Sequence, residues 1–192
     1  MPVKTIRTFF AIKIPLHSSI EVEKILLDLK EQIPRKVKWV AAGSMHVTLK
    51  FIGDFKETHI EPIRKDLFLI TRGTGKMEIA FTELGGFPNL NKPRVIWVGL
   101  NYPERLHELA IAIDLLGSKY GYNKETRSFS PHVTLGRVRR DTKNYERERI
   151  GNIIKEYEQI GIAPFTCAKL FFIKSALTPT GPVYNTLAEI VL

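Results

Sequence analysis

The tetrad His-Val-Thr-Leu occurs twice in this chain of 192 residues, at residues 46–49 and again at residues 132–135. Each copy follows an apolar, strand-like run that ends in proline, "RTFFAIKIP" in the first case and "RVIWVGLNYP" in the second. A segment with helical spacing of apolar residues lies between each proline and its tetrad, over similar distances of 31 and 29 residues. The pattern therefore predicts two copies of one strand, helix, strand unit.

Each tetrad is followed by a further helical pattern and then by strand-like segments at residues 76–84, 165–177 and 183–192. These patterns predict an α+β fold with two pseudo-symmetric lobes of mainly antiparallel sheet, helices on the outer faces and a central cleft. We expect a single domain over residues 1–192, built from lobes at about 1–90 and 91–192, with C-terminal strands that can cross back.

Helix starts are suggested by two capping boxes, in which a hydroxyl residue is followed three positions later by glutamate. The first is Ser18 with Glu21, and the second is Thr58 with Glu61.

The cellular location is constrained by what the sequence lacks. Its longest apolar runs fall far short of the roughly 18 residues that a membrane span needs, and no small-residue cleavage site follows the N-terminal segment. Cys167 is the sole cysteine, so it cannot form an internal disulfide, and its apolar neighbours predict a buried side chain. We expect a cytoplasmic protein without a membrane partner, and a monomer.

The chain is basic, with 29 lysine and arginine residues against 20 acidic residues and a net charge of +9. From Arg127 to Arg149 seven basic residues face three acidic ones. This balance favours a polyanionic partner such as RNA, although a solvated basic surface gives the same composition.

The tetrads place polar side chains on one face of a strand. Alternate residues of a strand share a face, so His46 and Thr48 point one way while Val47 and Leu49 point the other. The second copy repeats this arrangement. If a pseudo-twofold axis relates the lobes, two imidazoles and two hydroxyls converge on one small volume.

Such a pair of histidines is suited to displacement at phosphorus. Near neutral pH one imidazole can accept a proton from the attacking oxygen while the other donates a proton to the departing oxygen. The threonine hydroxyls can hydrogen-bond the non-bridging phosphate oxygens, so we expect neither a metal nor a cofactor. The alternative is that the duplication preserves only a packing motif.

The paired tetrads, together with "WVAAGSMHVTLKFIGD", "FSPHVTLGRV" and "SALTPTGPVYNTLAEI", resemble the RNA 2′,3′-cyclic phosphodiesterases, also called 2′-5′ RNA ligases, of the 2H phosphoesterase superfamily. The likeness extends from about Arg7 to Leu192. It implies hydrolysis of RNA 2′,3′-cyclic phosphate ends, such as those of tRNA halves, to 2′-phosphate ends without a metal.

The resemblance also assigns roles to individual residues. It implies that His46 is the proton donor to the 3′ oxygen and that His132 is the proton acceptor from water, with Thr48 and Thr134 holding the phosphate. Arg137 matches an arginine that is common after the second motif of the family.

Two of the substrate-binding assignments are less direct. Strand parity alone puts Arg137 on the core side, so either Gly136 permits a twist or the assignment fails. An aromatic residue of the first strand can stack on the terminal base, and the resemblance favours Phe10 over Phe9. Tyr184 could reach the site or serve only as a strand connection.

Three functions fit these observations. The first is hydrolysis of cyclic phosphate ends. The second is ATP-independent joining of RNA halves through a 2′-5′ bond, with a 5′ hydroxyl in place of water. The third is a module that binds RNA ends without turnover. Loss of the histidine or threonine from one tetrad would indicate such a module, but both tetrads are intact.

Overall fold

The computed structural model describes residues 4–33, 35–157, 160–179 and 181–192. Within these ranges it is a mixed α+β fold with four α-helices and nine β-strands. The helices are α1 (Leu16–Gln32), α2 (Ile60–Ile70), α3 (Glu104–Lys119) and α4 (Asn144–Lys155). The strands are β1 (Thr5–Lys13), β2 (Val37–Trp39), β3 (His46–Lys56), β4 (Met77–Phe87), β5 (Val95–Asn101), β6 (His132–Val138), β7 (Phe165–Cys167), β8 (Lys169–Thr178) and β9 (Gly181–Val191).

The strands form one antiparallel sheet in the order β7-β4-β5-β6-β3-β1-β8-β9, and β2 pairs with β6 outside this path. The two tetrad strands, β3 and β6, are therefore neighbours at the centre. β8 and β9 return to pair beside β1, whereas β4 pairs with β5. The expected antiparallel α+β fold is confirmed, while the lobe boundary near residue 90 stays a prediction.

The two faces of the sheet carry different cores. The main hydrophobic core lies on the helix face, where it joins strand residues to buried residues of all four helices, such as Leu26, Ile63, Leu106 and Ile150. The opposite face, which we call the histidine face, carries a smaller cluster around Phe9. The helices therefore protect one side of the sheet and leave the other open for a ligand.

Both predicted capping boxes are wrong. Helix α1 begins at Leu16, directly after Pro15, and no side chain caps it. Helix α2 is preceded by a 3₁₀ turn, Glu57–His59, that already contains Thr58. In both places the chain enters the helix before the residue that would act as the cap.

Cys167 is buried, as predicted, and burial raises the pKa of its thiol to about 11. A buried thiol with so high a pKa behaves as a small apolar side chain. Among the helices in the described ranges, none is long and apolar enough to cross a membrane.

Candidate active site

The two tetrads meet where Val47 of β3 pairs with Val133 of β6. Both valines are fully buried in the core of the helix face. The residues on either side of each valine therefore point to the histidine face. In an antiparallel pair the neighbours of one valine lie beside those of the other. His46 lies beside Thr134, and Thr48 lies beside His132.

The two imidazoles are held in the same way. Nδ1 of His46 lies 2.8 Å from the carbonyl oxygen of Ser44, and Nδ1 of His132 lies 2.7 Å from that of Ser130. A carbonyl oxygen only accepts hydrogen bonds, so Nδ1 carries the hydrogen in both rings. In a neutral ring Nε2 is then the basic nitrogen, available to a ligand in each case.

Partial burial lowers the pKa of both histidines from its ordinary value. For His46 the carbonyl of Ser44 opposes this effect, and the neighbouring His132 adds to it. For His132 the carbonyl of Ser130 opposes the lowering, and the charge of Arg137 adds to it. Each ring thus titrates under the influence of a charged group on the same face.

Aromatic rings flank each histidine. The ring of His46 lies 4.9 Å from that of Phe9 and 5.3 Å from that of Tyr184. The ring of His132 lies 4.9 Å from that of Phe87 and 6.2 Å from that of Trp97. These contacts limit the movement of the imidazoles and reduce their access to water.

The prediction that Phe10 stacks on the substrate is wrong. Its side chain is fully buried on the helix face, where it stacks on Phe172 with ring centroids 4.7 Å apart. Phe9, the neighbour in sequence, lies on the histidine face instead. The alternation of residues in β1 shows that Phe9 and Phe10 point to opposite faces, but not which of them faces the histidines. That depends on how β1 pairs with β3.

Arg137 lies on the same face as the histidines because of a β-bulge. Trp97 and Ile96 of β5 pair with Thr134 and Gly136 of β6, so Leu135 is an extra residue. The bulge turns Gly136 toward the helix face and returns Arg137, which is exposed, to the histidine face. Strict alternation along the strand would have put Arg137 on the core side. The bulge at Leu135, and not a twist at Gly136, is what brings Arg137 to the histidine face.

The sequence matches the LigT like Phosphoesterase family twice, over residues 18–97 and 98–184. This chain belongs to the LigT-like phosphoesterase family. Among its relatives, an RNA 2′,3′-cyclic phosphodiesterase of Methanocaldococcus jannaschii is 34% identical, covering 95% of this chain and 99% of the relative. Another of that name, from Aquifex aeolicus, is 29% identical over 99% of both chains.

Solved structures show the same fold. E. coli LigT complexed with 3′-AMP superposes with a TM-score of 0.77 at 20% identity, covering 98% of this chain and 99% of that chain. A protein of Thermus thermophilus gives a TM-score of 0.73 at 22% identity, covering 97% of both chains. The architecture of this LigT-like phosphoesterase is therefore the one seen in these proteins.

The remaining histidines lie outside the site. Nδ1 of His59 contacts the hydroxyl of Tyr122 at 2.9 Å, and Nδ1 of His107 contacts the carboxylate of Glu104 at 3.2 Å. Over the part of the chain that the structure describes, no group of three His, Cys, Asp or Glu side chains is arranged to hold a metal ion.

Sequence reasoning missed Phe9 and Phe87 as neighbours of the histidines and left Tyr184 open. The strand predicted at residues 76–84 continues as β4 to Phe87 and brings that ring to His132. A useful signal was the serine two residues before each histidine, since "SMH" and "SPH" extend the repeat and supply the carbonyls that orient the rings.

Proposed function

We propose that this LigT-like phosphoesterase hydrolyses RNA 2′,3′-cyclic phosphate ends to 2′-phosphate ends, with His46 and His132 as general acid and base and without a metal ion. The observation that carries the proposal is the pair of oriented imidazoles on adjoining strands. Both have Nδ1 tied to a backbone carbonyl and Nε2 available on one face. The relatives named RNA 2′,3′-cyclic phosphodiesterase, which cover 95% and 99% of this chain, support the same reaction.

In the proposed step, a water oxygen attacks phosphorus while Nε2 of His132 takes its proton. The bond between phosphorus and the 3′ oxygen breaks, and Nε2 of His46 gives that oxygen a proton. The products are a 3′ hydroxyl and a 2′-phosphate. A second proton exchange between the two rings and solvent restores the starting state.

Thr48, Thr134 and Arg137 are proposed to hold the phosphate. The hydroxyls lie beside the opposite histidines, so they can donate to non-bridging oxygens as negative charge develops on them. Arg137 supplies a charge close enough to lower the pKa of His132. A guanidinium at that distance also offsets the charge of the reacting phosphate.

The protonation states of the free protein set a requirement on substrate binding. Both lowered pKa values favour neutral rings at neutral pH, whereas the acid must enter the reaction protonated. An anionic phosphate beside His46 favours its charged form and raises that pKa. The cyclic phosphate is therefore expected to help generate the acid on which its own cleavage depends.

The test is incubation with an RNA oligomer that ends in a 2′,3′-cyclic phosphate, in EDTA, with identification of the product end by mass and phosphatase sensitivity. We expect a 2′-phosphate and unchanged rates in the chelator. Loss of activity in EDTA with rescue by a divalent ion would refute the metal-free mechanism. Binding of the oligomer without turnover by wild-type protein would instead favour a non-catalytic module.

Narrower predictions concern the biological setting. Use of tRNA halves, 2′-5′ ligation, a monomeric state and a cytoplasmic location stay predictions. Adding an RNA with a 5′ hydroxyl to the same assay tests ligation, because a joined product of the summed mass would appear.

A further inference from the structure

Arg7 lies on the histidine face, one step beyond the aromatic rings that contact His46. In β1 the alternation that puts Phe9 on this face puts Arg7 there as well. Thr8 pairs with Lys174 of β8, so the next residue of β8, Ser175, lies beside Arg7. Ser175 in turn pairs with Tyr184 of β9. One row across three strands therefore holds an arginine, a small serine and a tyrosine.

The guanidinium of Arg7 is positioned by an aromatic ring. Its Cζ lies 4.6 Å from the centroid of the Phe51 ring, and Phe51 is 47% exposed. Stacking on a ring engages the flat face of a guanidinium and leaves its N–H groups at the edge free to donate. The charge is thus fixed in place without using its hydrogen-bond donors.

The donors of Arg7 have no acceptor in the described residues. Asp54 lies opposite Arg7 in the register of β1 and β3, yet no ion pair within 4.0 Å joins the two, and no hydrogen bond of Arg7 is found in those ranges. A cation that is held in place and left unpaired on an open face can receive an anion.

Tyr184 connects this cation to the site of reaction. Its ring lies 5.3 Å from the rings of both His46 and Phe9. Burial raises the pKa of its hydroxyl, and the charges of Arg137 and Arg7 act against that rise. Both guanidiniums are therefore within electrostatic range of one hydroxyl, from different strands.

We propose that Arg7 and Tyr184 form a second anion subsite, which binds the phosphate on the 5′ side of the terminal nucleotide. The inference rests on the proposed function, in which the cyclic phosphate lies between the two histidines. Arg7 is separated from His46 by the layer of Phe9 and Tyr184. One nucleoside separates successive phosphates of RNA, so this cation suits the neighbouring phosphate and not the reacting one.

The test compares two substrates that differ by one group, a nucleoside 2′,3′-cyclic phosphate with a 5′ hydroxyl and the same compound with a 5′ phosphate. We expect the wild type to prefer the 5′-phosphorylated compound. Arg7→Gln should lower kcat/KM for that compound by roughly tenfold and leave the other nearly unchanged, since one charged hydrogen bond is lost. Arg7→Lys should keep part of the preference.

The matched control is Arg149→Gln, which removes the same charge from an exposed position on α4 and should keep the preference intact. Absence of a preference in the wild type, or equal losses on both substrates in Arg7→Gln, would overturn the subsite.

A second readout separates this inference from the proposed function. If the wild type cleaves neither compound, the RNA oligomer with a 2′,3′-cyclic phosphate end still decides the proposed function, and the subsite is judged by binding of a nucleoside 2′-phosphate with and without a 5′ phosphate. A tighter Kd for the 5′-phosphorylated compound that Arg7→Gln abolishes supports the subsite. An affinity ratio that Arg7→Gln leaves unchanged contradicts it.

Discussion

The strands that carry the two tetrads are alike up to the leucine and differ directly after it. Both have a bulge at the leucine, since Phe10 and Ala11 of β1 pair with residues 50 and 48 just as Ile96 and Trp97 of β5 pair with residues 136 and 134. The next two residues are lysine and phenylalanine in β3, but glycine and arginine in β6.

The first of these positions faces the helices. Lys50 is buried there, and its ammonium donates to Asp114 at 2.5 Å and to the carbonyl of Asn123 at 2.8 Å. Gly136 leaves room for β2, because a Cβ at this position would lie 2.5 Å from Cγ1 of Val37 and 2.8 Å from the ring of Trp39. The same position thus anchors a helix in one half and admits a strand in the other.

The second position faces the histidines. Phe51 supports Arg7 in the first half, whereas Arg137 itself provides the cation in the second. The repeated part of the sequence therefore orients the imidazoles, while the residues that follow it make the two sides of the site chemically different.

The largest expected loss of activity comes from replacing the histidines, which the two tetrads share. His46→Ala and His132→Ala should each lower kcat for a cyclic phosphate RNA by about two to four orders of magnitude, because each removes one proton transfer. The double variant should lose less than the product of the two, because acid and base act in one step. Circular dichroism of each variant checks that the fold is intact; losses under tenfold would contradict the proposed roles.

The next effect tests the buried lysine. Lys50→Met should lower the free energy of unfolding by about 3 kcal/mol, because it leaves the Asp114 carboxylate without its cation. Urea denaturation measures it, with Lys30→Met, at an exposed position on α1, as the control. Equal stability of the two variants would mean that the ion pair contributes nothing.

A smaller effect is expected at Phe51 and Arg137, the second residues after the two leucines, and it should differ between them. Arg137→Gln should reduce kcat/KM by about ten to one hundredfold through the lost charge on the phosphate, whereas Phe51→Leu should change hydrolysis of a 5′-hydroxyl nucleoside cyclic phosphate little. Steady-state kinetics on that substrate tests both. If Phe51→Leu lowers kcat/KM as much as Arg137→Gln does, Phe51 and Arg137 do not have the different roles proposed for the two halves.

The smallest effect concerns pH and stability. The pKa values of His46 and His132 are lowered in the folded state, so the neutral rings contribute stability above the unfolded value near 6.5. That contribution is lost as the pH falls through the lowered values. A His46→Gln, His132→Gln variant should therefore lose less stability than the wild type between pH 7 and pH 5 in urea titrations. If the stability of the two proteins changes with pH in the same way, the lowered pKa values of His46 and His132 are contradicted.

Much of this architecture could be read from the sequence, because the repeat and the alternation in each tetrad are local patterns. The partners of Phe9 and Arg137 could not, since a bulge shifts the face of every later residue and depends on the pairing of two distant segments. The helix starts were misjudged because a proline and a 3₁₀ turn replaced side-chain caps. Pairing between strands, more than propensity, decided which side chains reached the site.

The most direct measurement of the acid and base roles uses a cyclic substrate in which sulfur replaces the bridging 3′ oxygen. A thiolate leaves without a proton, so a variant lacking the acid should regain activity on it and a variant lacking the base should not. We predict that His46→Ala recovers most of its lost rate on the sulfur compound and that His132→Ala stays inactive. Equal behaviour of the two variants, or recovery by His132→Ala alone, would contradict the assignment of one proton transfer to each histidine.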